Sequence, residues 1–175
     1  TIKISEDQTM KTLTSTGTVE ILDGKTLTVV SGTTLAGTVK GSGDILAPVG
    51  FSLTGTQTDW TGVLRTTAGS ITAQPSDLGG TTSIALGQTV TINANGAVAG
   101  LINGPGSVEI KGEVEYTGAF SYTGGTTITT GNLKVTGEDK LPRNGAVTIA
   151  SGATLDIDGS QRIFSVVNSG TIDLA

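Results

Sequence analysis

One passage of short strand-like segments and glycines occurs twice in this chain, and it limits the possible folds more than any other feature. Gly41-Ser42-Gly43-Asp44-Ile45 leads through Trp60-Thr61-Gly62 to Gly69-Ser70-Ile71-Thr72-Ala73. Gly104-Pro105-Gly106-Ser107-Val108 leads through Tyr122-Thr123-Gly124 to Gly131-Asn132-Leu133-Lys134-Val135. The offset is 104 − 41 = 63 residues at the start and 131 − 69 = 62 at the end. A fixed period of strands and glycines marks a chain that stacks on itself. The copies are read as residues 20–80 and 83–145, with a partial third over 146–175. No linker or domain boundary interrupts them, so residues 1–175 read as one unit.

Within each copy, apolar residues sit two apart around a polar one. Val19-Glu20-Ile21, Leu27-Thr28-Val29, Val90-Thr91-Ile92, Val108-Glu109-Ile110 and Leu133-Lys134-Val135 show the pattern. So do Val147-Thr148-Ile149, Leu155-Asp156-Ile157 and Ile172-Asp173-Leu174. Successive side chains on a strand point to opposite faces, so each segment turns two apolar groups one way and one polar group the other. Turn pairs such as Asp23-Gly24, Asn95-Gly96 and Ser151-Gly152 separate the segments. No apolar spacing of three and four persists long enough for a helix, and 27 glycines break every candidate. Aromatic residues make up only 3% of the chain, so the core must be thin layers of Val, Ile, Leu and Ala.

These signals predict an all-β chain. A sandwich of hairpins would pair strands adjacent in sequence. A parallel β-helix would pair each strand with its counterpart one coil later. The long period favours the β-helix, read as about three coils of about 21 residues per repeat and about eight coils in all. At roughly 4.8 Å per coil the rod is expected to be about 40 Å long. Glu138-Asp139-Lys140-Leu141-Pro142-Arg143-Asn144-Gly145 is the most charged stretch and reads as a loop leaving a coil. The chain opens on Thr1-Ile2-Lys3-Ile4 and closes on Thr171-Ile172-Asp173-Leu174, both strand patterns. Bare strand edges invite pairing, so the expectation is a piece of a longer protein.

Charge and composition narrow the chemistry. Net charge is −5, and the ten Lys and Arg are scattered singly, which argues against nucleic acid and anionic membranes as partners. The chain has neither cysteine nor histidine. Disulfides, thiol catalysis, Cys- or His-based zinc sites and the commonest general base are therefore excluded. Lack of cysteine also suits export through a bacterial envelope. No stretch is long and apolar enough to span a bilayer as a helix.

The segment from Gly104 to Leu174 resembles a known family. Tyr122-Thr123-Gly124-Gly125-Thr126-Thr127-Ile128, followed by Gly131-Asn132-Leu133-Lys134-Val135, is similar to the passenger-associated transport repeat, also called the autotransporter-associated β-strand repeat. The flanking Leu141-Pro142, Gly145-Ala146-Val147-Thr148-Ile149 and Gly152-Ala153-Thr154-Leu155-Asp156-Ile157 extend the likeness. It is weaker over Thr18 to Ala73, where Trp60-Thr61-Gly62 replaces the tyrosine motif. The resemblance implies a right-handed parallel β-helix in a bacterial type V secretion passenger, exposed on the cell surface or secreted. It implies as partners a C-terminal β-barrel translocator of the same polypeptide and the outer-membrane assembly machinery. The repeat core it implies is Tyr122, Thr123, Gly124, Gly125, Thr126, Gly131, Leu133 and Val135. It assigns no catalytic residue, cofactor or metal, so the expected role is a non-enzymatic stalk that promotes secretion and displays other domains.

Other readings rest on particular residues. Trp60, Tyr116 and Phe120 are candidates for a surface platform that stacks on host glycans or contacts host proteins, which would make the chain an adhesin. The same rings, with Phe51 and Tyr122, also read as core or corner packing. Asp156 and Asp158 flank Ile157 and offer paired carboxylates for calcium or glycoside hydrolysis. Neither the six or more oxygens that calcium takes nor a cleft with sugar-gripping aromatics is visible, so solvated strand faces explain these aspartates. Thr-x-Thr pairs at Thr12/Thr14, Thr26/Thr28, Thr89/Thr91 and Thr127/Thr129 resemble ice-binding arrays but lack the one-per-coil spacing. Asn93, Asn103 and Asn168 are candidates for amide ladders inside turns. A polysaccharide-processing β-helix and a trimeric phage-tail β-helix complete the alternatives.

Overall fold

A computed structural model describes residues 1–48, 50–55, 57, 59–67 and 69–175. The alternating segments form strands, and each buries its apolar positions while its polar position faces out. Val19–Ile21, Thr26–Val29, Ser107–Ile110 and Ala146–Ile149 all follow this rule. A strand of three or four residues hides little surface alone. Burial is completed by the strand above and the strand below.

Each strand pairs in parallel with its counterpart one coil away, and every strand pairing among the described residues is of this kind. The chain is a parallel β-solenoid with three faces. The first face holds Ile2–Ile4, Val19–Ile21 and Val39–Gly41, and later Gly96–Val98, Glu113–Tyr116, Asn132–Thr136, Thr154–Asp158 and Thr171–Leu174. The second runs from Gln8–Met10 through seven strands to Ala119–Tyr122. The third runs from Thr14–Ser15 through nine strands to Ser165–Asn168. The interior is one continuous column of small apolar side chains, from Ile4 through Ile45, Ile71, Ile102 and Leu133 to Leu155.

The solenoid has about nine turns, not eight, because each coil is shorter than the repeat suggested. Register partners are 17 to 22 residues apart, as in Ile2↔Val19 and Asn132↔Thr154. The unit that recurs is one strand plus one corner. Ten such units separate Thr26–Val29 from Thr89–Ile92, which is three turns and one face. The first of these strands therefore lies on the second face and the other on the third. Similarly, Asp44–Ala47 belongs to the second face and Ser107–Ile110 to the third. The 63-residue repeat is real as sequence but does not stack on itself, and it places Thr26/Thr28 and Thr89/Thr91 on different faces. Two of the three candidate asparagines form no amide ladder. Asn103 is in register with Ser83 and Ser121, and Asn168 with Ile149.

Among the described residues, the first face has no strand between Val39–Gly41 and Gly96–Val98. Trp60 makes a single bridge to Gly41, and one coil later a 3₁₀ turn, Pro75–Leu78, takes the place of a strand. The second face ends at Ala119–Tyr122, and the loop around Glu138 to Gly145 follows where the next strand would lie. The sequence reading of that stretch as a loop holds.

Candidate functional site

Three places depart from the plain ladder: the aromatic rung, the gap in the first face, and the charged loop. The aromatic rung contains the repeat core. Tyr116, Phe120 and Tyr122 all turn inward, at 0, 8 and 1% exposure. The Tyr116 and Phe120 rings stack with centroids 3.8 Å apart and planes 15° from parallel. The Tyr122 hydroxyl lies 2.6 Å from the buried Thr126 hydroxyl and 3.4 Å from that of Tyr116. Burial pushes the Tyr122 phenol up to about 12 and the Tyr116 phenol well above its ordinary value, so both stay protonated. A buried hydroxyl needs a partner, and Thr126 supplies one where Val would not.

The rest of the motif serves the same rung. The Thr123 and Gly124 amides donate to the Gly104 and Gly106 carbonyls at 2.9 and 3.0 Å. The Gly125 amide donates to Ser107 Oγ at 3.2 Å. Leu133 and Val135 are fully buried, and Leu133 is stacked between Val114 and Leu155. Gly131 accepts from the Thr154 amide at 2.9 Å.

These positions correct the surface-platform expectation. Tyr116 and Phe120 are interior, and Trp60 is only 4% exposed. The Trp60 indole N–H donates to the Gly43 carbonyl at 2.8 Å. None of the three presents a ring face to solvent. Within Glu113–Tyr116 period two places Tyr116 on the inward side with Val114, and within Ala119–Tyr122 it places Phe120 there with Tyr122.

Beside Val39–Gly41, the Gln57 side chain takes backbone partners. Its Oε1 accepts from the Val39 amide at 2.6 Å, and its Nε2 donates to the Gly37 carbonyl at 3.2 Å. The side-chain amide thus satisfies one donor and one acceptor that a strand would have paired. Gln161 does the same at the charged loop, accepting from the Lys140 and Leu141 amides at 2.7 and 3.1 Å and donating to the Gly137 carbonyl. Sequence reading missed both, because an isolated glutamine carries no positional signal. Replacing Gln57 with alanine leaves a buried N–H and C=O unmet. The expected loss is about 2 kcal/mol in urea denaturation, with faster hydrogen exchange at the Val39 amide. Unchanged exchange there would remove the amide from this role.

Asp77, in the 3₁₀ turn, is the other residue the sequence did not reveal. It is 2% exposed. Its Oδ2 accepts from the Gln74 amide at 2.9 Å, while its Oδ1 has no hydrogen-bond partner. Burial pushes its pKa up to about 7, against the lowering effect of the Gln74 amide and the Ser76 side chain. The strand packed on the turn carries only Gly96, Ala97 and Val98, none of which titrates. A raised carboxyl pKa means the folded state holds its proton over a range in which the unfolded chain has lost it. The stabilising effect is complete below the unfolded value and is lost as pH rises toward about 7. Stability is expected to fall by about 2–3 kcal/mol between pH 5 and pH 8 from this group. Asp77→Asn should flatten that slope. An equal slope in the variant would assign the effect elsewhere.

The charged loop is pinned by Asp139, which adopts φ +51°. Its carboxylate accepts from Arg162, through Nε at 2.9 Å and through Nη2, and from Arg143 Nη2 at 2.7 Å. The Arg162 hydrogen bonds, followed by Arg143, hold the Asp139 carboxyl well below the usual carboxylate range. The Lys140 ammonium donates to the Gly118 carbonyl at 2.9 Å. On the third face, Glu109 accepts from Thr91 and Thr129 at 2.9 and 2.8 Å and pairs with Lys111 at 3.1 Å. Asp156 stands in register between Lys134 and Asp173, and Asp158 is exposed beyond it.

Among the described residues, no three carboxylates gather closely enough to hold a metal ion. A shallow groove of about 660 Å³ follows the gap in the first face, lined by Gln57, Trp60, Ser76, Gly80, Gly100 and Ala119 among others. Its lining is neutral. A smaller cleft of about 240 Å³ lies between Phe120–Thr123 and the loop, with Asp139 and Arg143 at its wall. Both charges there are committed to each other. No family model, curated protein or solved structure matches the chain.

Proposed function

We propose that this chain is a stalk segment of a bacterial autotransporter passenger, a rod that helps carry its own polypeptide across the outer membrane and displays other domains at the cell surface. One observation carries the reading. Backbone pairing on the third face and apolar stacking in the interior run through about nine coils, and the repeat motif is spent on that stacking. Tyr122, Thr126, Gly124 and Leu133 all close rungs and leave no reactive group at the surface. The resemblance of residues 104–174 to the passenger-associated transport repeat supports the same role.

The mechanism is sequential templating. A finished coil exposes a row of N–H and C=O groups, and the next coil pairs with them as it buries its own Val, Ile and Leu. A chain emerging from a β-barrel translocator would be held outside by each coil completed there. The test is surface display of a passenger containing this chain ahead of such a barrel. Removing residues 104–174 should sharply reduce the protease-accessible passenger at the cell surface. Unchanged display after that deletion would sink the proposal.

A further inference from the structure

The second face stops at Ala119–Tyr122, while the first and third faces go on to Thr171–Leu174 and Ser165–Asn168. One edge of Ala119–Tyr122 is paired with Leu101–Gly104. There the Ala119 and Thr123 amides donate to the Gly100 and Gly104 carbonyls at 3.3 and 2.9 Å. Backbone groups of successive strand residues point to opposite edges. The N–H and C=O of Phe120 and Tyr122 therefore point the other way, toward the loop from Glu138 to Gly145. The Gly118 carbonyl points the same way and takes the Lys140 ammonium at 2.9 Å. Among the described residues, no strand and no loop backbone hydrogen-bonds to Phe120 or Tyr122 on this edge. The cleft of about 240 Å³ runs along it, with Phe120 and Tyr122 on the strand side and Leu141, Pro142 and Arg143 on the loop side.

Backbone donors and acceptors at strand spacing are what an extended peptide pairs with. Charge says which peptide. Asp139 is shared by two guanidiniums, Arg143 and Arg162, so one carboxylate faces two cations. Glu138, Asp139, Lys140, Arg143 and Arg162 together leave one positive charge, in a chain whose net charge is −5. Arg143 reaches Asp139 through Nη2, and its Nε and Nη1 carry further N–H donors. Leu141 is buried and Pro142 with it, so side chains of a docked segment that turn inward must be small.

We propose that the cleft between Ala119–Tyr122 and the charged loop binds an extended acidic peptide segment of a partner protein, which adds a short strand beside Phe120 and Tyr122 and sets a carboxylate against Arg143. The backbone of the segment meets the N–H and C=O groups of those two residues. Its outward side chains lie over Ser121 and carry the acid, and its inward ones are as small as alanine. Lys140 already does for the Gly118 carbonyl what the peptide does for the next two residues. This docking does not depend on the stalk role.

The test titrates the 175-residue chain with a pentapeptide of alternating aspartate and alanine, blocked at both ends, and follows amide chemical shifts. Saturable shifts are expected at the Phe120 and Tyr122 amides with a Kd of about 0.1–1 mM, together with slower hydrogen exchange of those two amides. Asparagine in place of the peptide's aspartates should weaken binding about fivefold, and so should Arg143→Gln in the chain. Combining the two should weaken it no further, because they remove the same contact. Arg143→Gln leaves Arg162 on Asp139, so the loop stays anchored. Silence at Phe120 and Tyr122 up to about 10 mM peptide would overturn the proposal. So would a fully N-methylated peptide that binds as well, since it cannot pair as a strand. Acetate that shifts the same amides at the same concentrations would also overturn it, by showing a plain carboxylate site.

Discussion

Leu133→Asp is expected to unfold the coils around it. Leu133 is fully buried and stacked between Val114 and Leu155. Removing the leucine forfeits about 1.5–3 kcal/mol of apolar burial. The aspartate adds the cost of a carboxylate in a column that offers it no partner, another several kcal/mol unless it takes up a proton. Together these approach the whole stability of a domain, about 5–15 kcal/mol. Because each coil templates the next, the damage should spread through the neighbouring rungs, seen as lost far-UV strand signal and as rapid amide exchange over Glu113–Asp158. Leu133→Met keeps volume and apolarity and should cost less than about 1.5 kcal/mol. An aspartate variant as stable as the methionine one would refute continuous stacking at this rung.

Gly124→Val should be nearly as damaging, for a different reason. A Cβ at Gly124 would lie 2.2 Å from the Gly106 carbonyl oxygen and 2.4 Å from its carbon. The next coil repeats the closeness, with a Gly145 Cβ 2.5 Å from the Gly124 oxygen. Backbone passes over backbone at this corner, so no flexible side chain can yield, and the rung must open. The Gly124 amide bond to Gly106 and the Gly125 bond to Ser107 would go with it. A loss of about 3 kcal/mol or more is expected in thermal or urea unfolding. Gly152→Ala is the control. It sits at φ +81° with open space around its Cβ, so it should cost only about 1–2 kcal/mol. Equal losses at the two sites would contradict the close packing of successive corners, since Gly124 has no positive φ to account for its cost.

These two positions also show what the sequence made legible. Leu133 and Val135 lie two apart around Lys134, and strand physics alone places them inside. The same reasoning finds the short strands from Val19–Ile21 to Ala146–Ile149 and rejects helix. The loop from Glu138 to Gly145 was legible because its charges cannot enter a column so narrow. The coil length was not legible. The visible repeat spans ten strand-and-corner units, and ten is not a multiple of three. The surface role offered for Trp60, Tyr116 and Phe120 failed because strand alternation turns Tyr116 and Phe120 inward, where they stack on each other, and the Trp60 indole is tied to the Gly43 carbonyl. Gln57 and Gln161 were invisible, since their role is to hydrogen-bond backbone that only the fold brings beside them. Asp77 was invisible for a related reason: a buried aspartate in a turn looks like any solvated one until its surroundings are known.

Continuous parallel stacking is the central claim, and a pair of cysteine cross-links tests it directly. The chain has no cysteine of its own, so introduced pairs report without background. Glu115 and Lys134 are register partners on successive coils, and both side chains face outward. Neighbouring strands lie about 4.8 Å apart, inside the Cα range a disulfide accepts. Glu115 and Ser121 belong to consecutive strands of a single coil that lie on different faces. Under mild oxidation of the monomer, Glu115→Cys with Lys134→Cys should close readily, and Glu115→Cys with Ser121→Cys should stay reduced. The reverse result, a bond between consecutive strands and none between coils, would mean that the chain folds back on its sequence neighbours and that no solenoid exists.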